Sequence, residues 1–240
     1  MLLVPSPPDR AAATTSGRAP DSWSDRLWSA MAGPYAAVLE HPFLAGLADG
    51  TLPAAAFTRY LAQDAHYLRD YARALALLAA RAERLEDTAM LARHAVGAAE
   101  VELALHRDLL GAVGVDVAAL AAVPASPTTY AYTRHLLSTV QQGSIAEGVA
   151  AVLPCYWIYA RVGQVLVARG SAEPRYQRWI ETYAGTEFGA LVEAVLGLVD
   201  RLGTGLTPDQ QETAELAALT SARYEWMFFD AALRGEEWPV

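Results

Sequence analysis

Apolar residues recur at helical spacing along almost the whole chain from Trp23 onward. Leu27 and Met31 follow Trp23 at steps of four, and steps of three and four continue through the later segments. This spacing collects apolar side chains on one face of a helix. The chain lacks the period-two alternation, bounded by hairpin turns, that is typical of strands. The sequence therefore predicts an all-α fold.

Turn residues divide this pattern into helices of about 15 to 30 residues. The breaks lie at 41–42, 49–53, 111–114, 124–127, 143–144, 170–174 and 203–208. Ser144 with Glu147, and Thr207 with Gln210, are each predicted to form a capping box, in which two side chains satisfy free backbone donors at a helix start.

Neither a repeat of fixed length nor a linker divides the chain into two units. Residues 22–240 are therefore predicted to form a single helical domain. Residues 1–21 are rich in Pro, Ser and Ala, and they lack the basic start and apolar stretch of a signal peptide. This segment is predicted to be a disordered N-terminal tail.

Charge and cysteine content limit the possible partners. The formal net charge is −9, from 18 Lys and Arg against 27 Asp and Glu. Such a field repels phosphate backbones and anionic lipid, so neither nucleic acid nor a membrane surface is expected as a partner. The longest uncharged run, 117–133, has 17 residues. That is shorter than the roughly 20 residues that span a bilayer. A single cysteine excludes a disulfide framework and predicts a cytoplasmic location.

Cys155 is the only cysteine, and it directly follows Pro154 inside an apolar run that the proline is expected to interrupt. A proline within a helix removes one backbone hydrogen bond and costs roughly 3 kcal/mol. Irregular geometry at a reactive side chain and a simple packing kink both explain such a residue. A lone cysteine is more often a small buried hydrophobe than a catalyst. Cys155 is thus a candidate nucleophile, with Tyr159 one turn later on the same side.

Two carboxylates stand on faces that are otherwise apolar. Asp64 shares a face of a long predicted helix with Tyr60, Tyr67 and Tyr71. The pattern has two equally good interpretations. Either the tyrosine hydroxyls serve a structural network by donating hydrogen bonds to this carboxylate, or the residues form a functional site. Glu225 lies among alanines and phenylalanines of the last helix, where burial would raise its pKa toward the range useful for acid–base catalysis.

The histidines do not form a recognisable metal motif. Helical bundles hold di-iron sites with Glu-x-x-His, and no glutamate stands three residues before any of the five histidines. Glu102 and His106 are interpreted as a structural or solvated pair. No metal site is therefore predicted.

Several segments in this order resemble the thiaminase II (TenA) family from about Trp28 to Trp238. The segments are His41-Pro42-Phe43 with 49–53, Tyr60 to Asp64 with Tyr67-Leu68, 104–107, Ser126-Pro127-Thr128 with Tyr132-Thr133, Leu153 to Trp157 with Tyr159, Trp179-Ile180 with Tyr183, and Tyr224-Glu225 with Phe228. The resemblance implies a haem oxygenase-like fold and a homotetramer. Cys155 matches the members of the family that have an active-site cysteine.

The same resemblance implies a hydrolase of thiamin salvage that needs no cofactor. It implies cleavage of 4-amino-5-aminomethyl-2-methylpyrimidine, or of thiamin, to the hydroxymethylpyrimidine. Cys155 would be the nucleophile and Glu225 the proton carrier. Asp64 would accept hydrogen bonds from the pyrimidine. Tyr67, Tyr132, Tyr159 and Tyr183 would stack on the ring or hold the leaving group and the thiol.

Two other classes remain open at this point. A haem oxygenase-like helical protein can be a metal- or quinone-dependent oxidase, against which the missing Glu-x-x-His motifs argue. A non-catalytic pyrimidine-binding or regulatory protein is the second class, against which the presence of both Cys155 and Glu225 argues.

Overall fold

The computed structural model describes residues 22–113 and 122–240, without the side chains of residues 101–113. All regular structure in these ranges is helical. The helices are α1 (Trp23–Leu39), α2 (Pro42–Asp49), α3 (Ala54–Arg81), α4 (Leu85–Val113), α5 (Pro127–Gln142), α6 (Ile145–Val167), α7 (Pro174–Ala184), α8 (Thr186–Gly203) and α9 (Pro208–Arg234). The predicted all-α fold is confirmed. Of the break predicted at 111–114, residues 111–113 instead belong to α4, and residue 114 lies outside the described ranges. The predicted tail at 1–21 and the side chains of the Glu102–His106 pair also lie outside what the structure describes.

Both predicted capping boxes are present, and they begin α6 and α9. The backbone N–H of Glu147 donates to Ser144 Oγ at 3.2 Å, and Ser144 N–H donates to Glu147 Oε1 at 3.0 Å. At the start of α9, Gln210 N–H donates to Thr207 Oγ1 at 3.4 Å, and Thr207 N–H donates to Gln210 Oε1 at 2.9 Å. Each box satisfies donors that a helix start leaves free. The starts of the helices that carry Cys155 and Glu225 are therefore fixed by local sequence.

Pro154 does not interrupt its helix, because α6 continues from Ile145 to Val167 with the proline inside it. The expected interruption was therefore wrong. The proline removes one hydrogen bond, and burial of most of the surrounding apolar side chains offsets that loss. This helix is long and apolar enough to cross a bilayer, but 78% of its most apolar window is buried within the protein. Such burial is typical of a core helix.

Four helices, α3, α5, α6 and α9, each contact the other three. Their facing side chains belong to one continuous apolar core that extends from α1 to α9. Side chains that point inward from these four helices therefore meet at one place, although they are far apart in sequence.

Gly163 allows the end of α7 to lie against α6. A Cβ at this position would lie 2.6 Å from the carbonyl carbon of Tyr183 and 2.6 Å from the nitrogen of Ala184. Real side chains do not approach a backbone so closely, so only glycine fits this contact. The contact places Tyr183 beside Tyr159, with ring centroids 4.8 Å apart.

Candidate active site

The seven residues singled out from the sequence come together at the meeting point of the helices. They are Asp64 and Tyr67 on α3, Tyr132 on α5, Cys155 and Tyr159 on α6, Tyr183 on α7 and Glu225 on α9. Burial raises the pKa of all four tyrosines, and a negative charge on Cys155 raises each further, so each phenol lies within electrostatic reach of the thiol. Side chains from five helices therefore lie within electrostatic reach of one another.

Cys155 is half-buried, whereas its neighbours from Val149 to Ala160 in α6 are buried. Accessible area at a core position indicates a space beside the side chain. Burial raises the pKa of the thiol well above its ordinary value, and the charges of Glu225 and Asp64 raise it further. Hydrogen bonding from Tyr67 and Tyr71 acts in the opposite direction. The thiol is therefore neutral in the unliganded protein, and it needs a base to become a nucleophile.

Glu225 is the candidate base for the thiol of Cys155. Its side chain is buried, and the Tyr132 hydroxyl donates to Oε1 at 2.7 Å. The Tyr67 hydroxyl in turn donates to the Tyr132 oxygen at 3.3 Å. Burial raises the pKa of Glu225 to about 8, although the hydrogen bond from Tyr132 lowers it. A carboxyl group with such a pKa can both accept and release a proton near neutral pH.

The raised pKa of Glu225 predicts that its carboxyl group destabilises the fold as pH rises. Between the ordinary value of 4.5 and about 8, the folded protein holds a proton that the unfolded chain has released. The contribution of this group to the free energy of unfolding is therefore fully present below pH 4.5, and it is lost as the pH rises toward about 8. Glu225→Gln removes this dependence. We expect the variant to gain stability over the wild type at about 1.4 kcal/mol per pH unit within the window.

Urea denaturation of both proteins at several pH values across the window measures this difference. Glu212→Gln is the control, because Glu212 is an exposed residue of the same helix. Its stability curve should run parallel to that of the wild type. Parallel curves for Glu225→Gln would show that the buried carboxyl group titrates at its ordinary value.

Asp64 is buried within electrostatic reach of the thiol. Burial raises the pKa of Tyr60, Tyr159 and Tyr183, and the charge of Asp64 raises each further, so the three phenols also lie within its electrostatic reach. The hydroxyls of Tyr60 and Tyr159 are hydrogen-bonded at 3.3 Å, and Trp179 Nε1 donates to Tyr60 at the same distance. An acceptor with two oxygens next to aromatic rings is suited to a flat ring that carries amino groups.

The sequence interpretation left two contacts of the thiol region unassigned. Tyr71 donates from its hydroxyl to the Val152 carbonyl at 2.9 Å, and it acts to lower the pKa of the Cys155 thiol. Tyr156 lies behind it, with ring centroids 5.7 Å apart. Tyr71 follows Tyr67 by four residues, a spacing that signals a shared helix face. Within the described residues, no group of three or more His, Cys, Asp or Glu is arranged to hold a metal ion.

Comparison with known proteins assigns the chain to a family. A sequence profile of the TENA/THI-4/PQQC family matches residues 28–235. The aminopyrimidine aminohydrolase of Bacillus subtilis is 37% identical over 216 residues, which are 90% of this chain and 92% of that protein. Most of both chains is therefore aligned.

Solved structures agree with this assignment. The TenA homologue from P. horikoshii OT3 superposes with a TM-score of 0.83 at 27% identity, and the match covers 89% of this chain and 99% of that one. A domain of unknown function from Shewanella denitrificans, described as having a heme oxygenase-like fold, superposes with a TM-score of 0.70 over 88% of this chain and 92% of that one. At 15% identity the second match shows the fold alone. The chain therefore has a haem oxygenase-like fold and belongs to the TENA/THI-4/PQQC family and, within it, to the thiaminase II (TenA) proteins.

Proposed function

We propose that the chain is a hydrolase of thiamin salvage that converts 4-amino-5-aminomethyl-2-methylpyrimidine to the 5-hydroxymethyl compound. The observation that carries the proposal is the pairing of Cys155 with Glu225. A half-buried thiol with a raised pKa lies within electrostatic reach of a carboxyl group whose pKa is about 8. Nucleophile and proton carrier are the two groups that such a reaction needs.

The first half of the reaction forms a covalent adduct. Glu225 removes the thiol proton, and Cys155 Sγ forms a bond to the ring carbon beside the substituted one. The sulfur supplies the electron pair of the new bond. A pair of ring electrons is displaced, and the ring loses its aromaticity. That electron pair then expels the amine from the exocyclic methylene, and Glu225 returns the proton to the departing nitrogen.

The second half restores the ring. Water attacks the exocyclic methylene and loses a proton to Glu225, so a hydroxymethyl group replaces the aminomethyl group. The ring then expels Cys155, which regains its proton. The balanced reaction consumes one pyrimidine and one water, and it yields the hydroxymethylpyrimidine and ammonia. The pyrimidine ring is the electron sink, so this route uses no cofactor.

Asp64 and the tyrosines are assigned to binding. Asp64 accepts hydrogen bonds from the exocyclic amine and a protonated ring nitrogen. Tyr67 and Tyr132 lie on the side of Glu225. Tyr159 lies within electrostatic reach of both Glu225 and Asp64, and Tyr183 lies within reach of Asp64. The four tyrosines would stack on the ring or hold the leaving group and the thiol.

A direct comparison of three substrates tests the proposed activity. Purified protein is incubated with the aminomethylpyrimidine, its N-formyl derivative and thiamin, and the hydroxymethylpyrimidine is quantified in each case. We expect turnover of the aminomethylpyrimidine. Tight binding of all three without product would instead identify a pyrimidine-binding or regulatory protein.

Asp64→Asn is expected to weaken substrate recognition more than it weakens folding. The amide keeps the size of the carboxylate but loses the charge that faces the substrate amino group. Loss of one charged acceptor costs about 1.5–3 kcal/mol, so kcat/KM should fall by about 10- to 150-fold. Steady-state kinetics and thermal denaturation of the same preparation measure both effects.

Asp70→Asn is the matched control. Asp70 is also a buried aspartate of α3, but it is ion-paired with Arg73 at 2.8 Å and with Arg134 of α5. The control should lower the melting temperature and leave kcat/KM within about twofold, because its charge belongs to a structural network. An unchanged kcat/KM with a large loss of stability in Asp64→Asn would make Asp64 structural as well.

We also propose that the protein acts as a homotetramer in the cytoplasm. The support is an apolar fraction of 53% with only 19% charged residues. Large apolar side chains such as Leu85, Val96 and Leu216 are more than half exposed in the single chain. Association of copies would bury such surface. Light scattering at micromolar concentration should give the mass of four chains, and a monomeric mass would contradict the proposal.

A further inference from the structure

Trp179 of α7 is a fully buried residue to which the proposed reaction assigns no role. Its ring packs against Tyr159 and Tyr183, with centroids 5.9 and 4.8 Å away. Its Nε1–H donates to the hydroxyl oxygen of Tyr60 on α3 at 3.3 Å. An indole nitrogen can donate a hydrogen bond but cannot accept one, so this contact has only one possible direction.

This direction affects how Tyr60 uses its own proton. The ring of Tyr60 is packed against Phe43, Phe57, Phe228 and Phe229. Its hydroxyl donates to the hydroxyl oxygen of Tyr159 on α6 at 3.3 Å. An oxygen that already accepts a hydrogen bond is a stronger donor, because bonds in series polarise one another. Donation from Trp179 therefore favours the order in which Tyr60 donates and Tyr159 accepts.

The pKa values of the two phenols agree with this order. Burial raises the pKa of Tyr60 well above its ordinary value, the bond to Tyr159 raises it further, and the bond from Trp179 lowers it. Burial also raises the pKa of Tyr159. Both phenols therefore keep their protons at neutral pH. The proton of Tyr60 is used within the series, whereas the series leaves the proton of Tyr159 for another acceptor.

The hydroxyl of Tyr159 lies within electrostatic reach of the proposed catalytic groups. Tyr159 follows Cys155 by one turn on the same side of α6. Burial raises its pKa, and the charges of Glu225, Tyr183, Asp64 and Cys155 raise it further. These are groups between which the pyrimidine is proposed to bind. A ligand there meets a phenol whose oxygen already accepts a hydrogen bond and whose proton can be donated.

We propose that Trp179 is a positioning residue for substrate binding, because its donation to Tyr60 sets the direction of the Tyr60–Tyr159 bond and makes Tyr159 a hydrogen-bond donor to the bound pyrimidine. The ligand atom that contacts this hydroxyl is then an acceptor, which is an unprotonated nitrogen or an oxygen. Without the indole donor, Tyr159 can turn its proton to the oxygen of Tyr60 and away from the ligand. The inference rests on the proposed role of Tyr159 in substrate binding.

Trp179→Phe tests the proposal, since phenylalanine keeps an aromatic ring in the core and lacks the donor. Calorimetry measures binding of the hydroxymethylpyrimidine product, so no turnover is needed. The variant should bind about three- to tenfold more weakly than the wild type, the range expected for one neutral hydrogen bond. Tyr159→Phe, which removes the donor itself, should lose a similar factor. Tyr183, which also lies within electrostatic reach of Tyr60, is retained in every variant.

The double variant Tyr60→Phe/Trp179→Phe separates the direction of the bond from packing. Phenylalanine at position 60 has no oxygen to which Tyr159 could turn its proton. The double variant should therefore recover most of the affinity that Trp179→Phe loses, although its melting temperature falls further. A packing defect predicts the opposite, because two altered rings disturb the core more than one. Binding no tighter than that of Trp179→Phe would overturn the proposal.

Trp23→Phe is the matched control. Trp23 is also a buried tryptophan, but its Nε1 has no hydrogen-bond partner among the residues that the structure describes. The control therefore loses ring volume in the core without losing a donated bond. It should lower the melting temperature and leave the affinity for the pyrimidine within about twofold of the wild type. A loss as large as that of Trp179→Phe would assign the effect to a loosened core and contradict the positioning role.

Neutron diffraction from crystals of the perdeuterated wild type tests the bond direction without a variant or a ligand, and it decides if Trp179→Phe does not fold. We expect the indole deuteron to point at the Tyr60 oxygen and the Tyr60 deuteron to point at the Tyr159 oxygen. A Tyr159 deuteron that points at the Tyr60 oxygen would refute the positioning role, even in an active enzyme. The expected order in a protein that neither binds nor turns over the pyrimidine would leave the bond direction standing and refute the proposed function.

Discussion

Cys155→Ser is expected to lower kcat for the aminomethylpyrimidine by at least about a thousandfold, which corresponds to about 4 kcal/mol of transition-state stabilisation. Serine has nearly the same size, but its hydroxyl is a much poorer nucleophile and ionises at a far higher pH than a thiol. Cys155 is half-buried, and its neighbours in the helix are apolar. The substitution therefore exchanges one atom and leaves the packing of the core intact. Circular dichroism and the melting temperature should therefore stay close to those of the wild type. KM should change little, because binding is assigned to other residues.

Steady-state kinetics at saturating substrate measure this effect. A variant that keeps more than about a tenth of the wild-type kcat has lost less than roughly 1.4 kcal/mol. The thiolate would then not be the nucleophile, and the covalent route would be wrong even if the protein remained a hydrolase.

Glu225→Gln is expected to cause the second large loss, of at least about a hundredfold in kcat, because general acid–base groups contribute about 10²–10⁴. The amide can still accept the hydrogen bond from Tyr132, which the wild-type carboxyl group accepts at 2.7 Å. It cannot carry a proton between the thiol, the leaving amine and water. The variant should therefore bind the pyrimidine and fail to turn it over.

The double variant Cys155→Ser/Glu225→Gln tests whether the two residues serve one mechanism. Because the thiol has no function without its proton acceptor, the double variant should be little worse than the poorer single variant. Losses that multiply across the two substitutions would show that the residues act in independent steps, contrary to the reaction proposed above.

The helical class and the starts of two helices were predictable because their determinants are local. The capping boxes at Ser144 and Thr207 each lie within four residues, and both form as predicted. The burial of Asp64 and Glu225 was also predictable, because each is the charged residue on a face of otherwise apolar or aromatic side chains. The spacing of apolar and charged residues along the sequence is enough to predict these features, because they do not depend on how the helices pack.

The contact between His94 and Tyr156 was not predictable in the same way. His94 and Tyr156 are 62 residues apart, and their contact depends on how α4 and α6 lie within the folded core. Glycine at position 163 controls how closely α7 approaches α6, yet its spacing in the sequence carries no sign of this role. Pro154 was misinterpreted for a related reason. Its local cost is evident in the sequence, whereas the burial that offsets it is a property of the assembled core.

Turnover of the aminomethylpyrimidine in water labelled with oxygen-18 tests the central claim most directly. Mass spectrometry of the product measures the label in the hydroxymethyl group, and an enzymatic assay measures ammonia in the same sample. The account predicts one labelled hydroxymethylpyrimidine and one ammonia for each substrate consumed, with no added metal or cofactor. Absence of product from a folded protein that binds the pyrimidine, or product without the label, would contradict it.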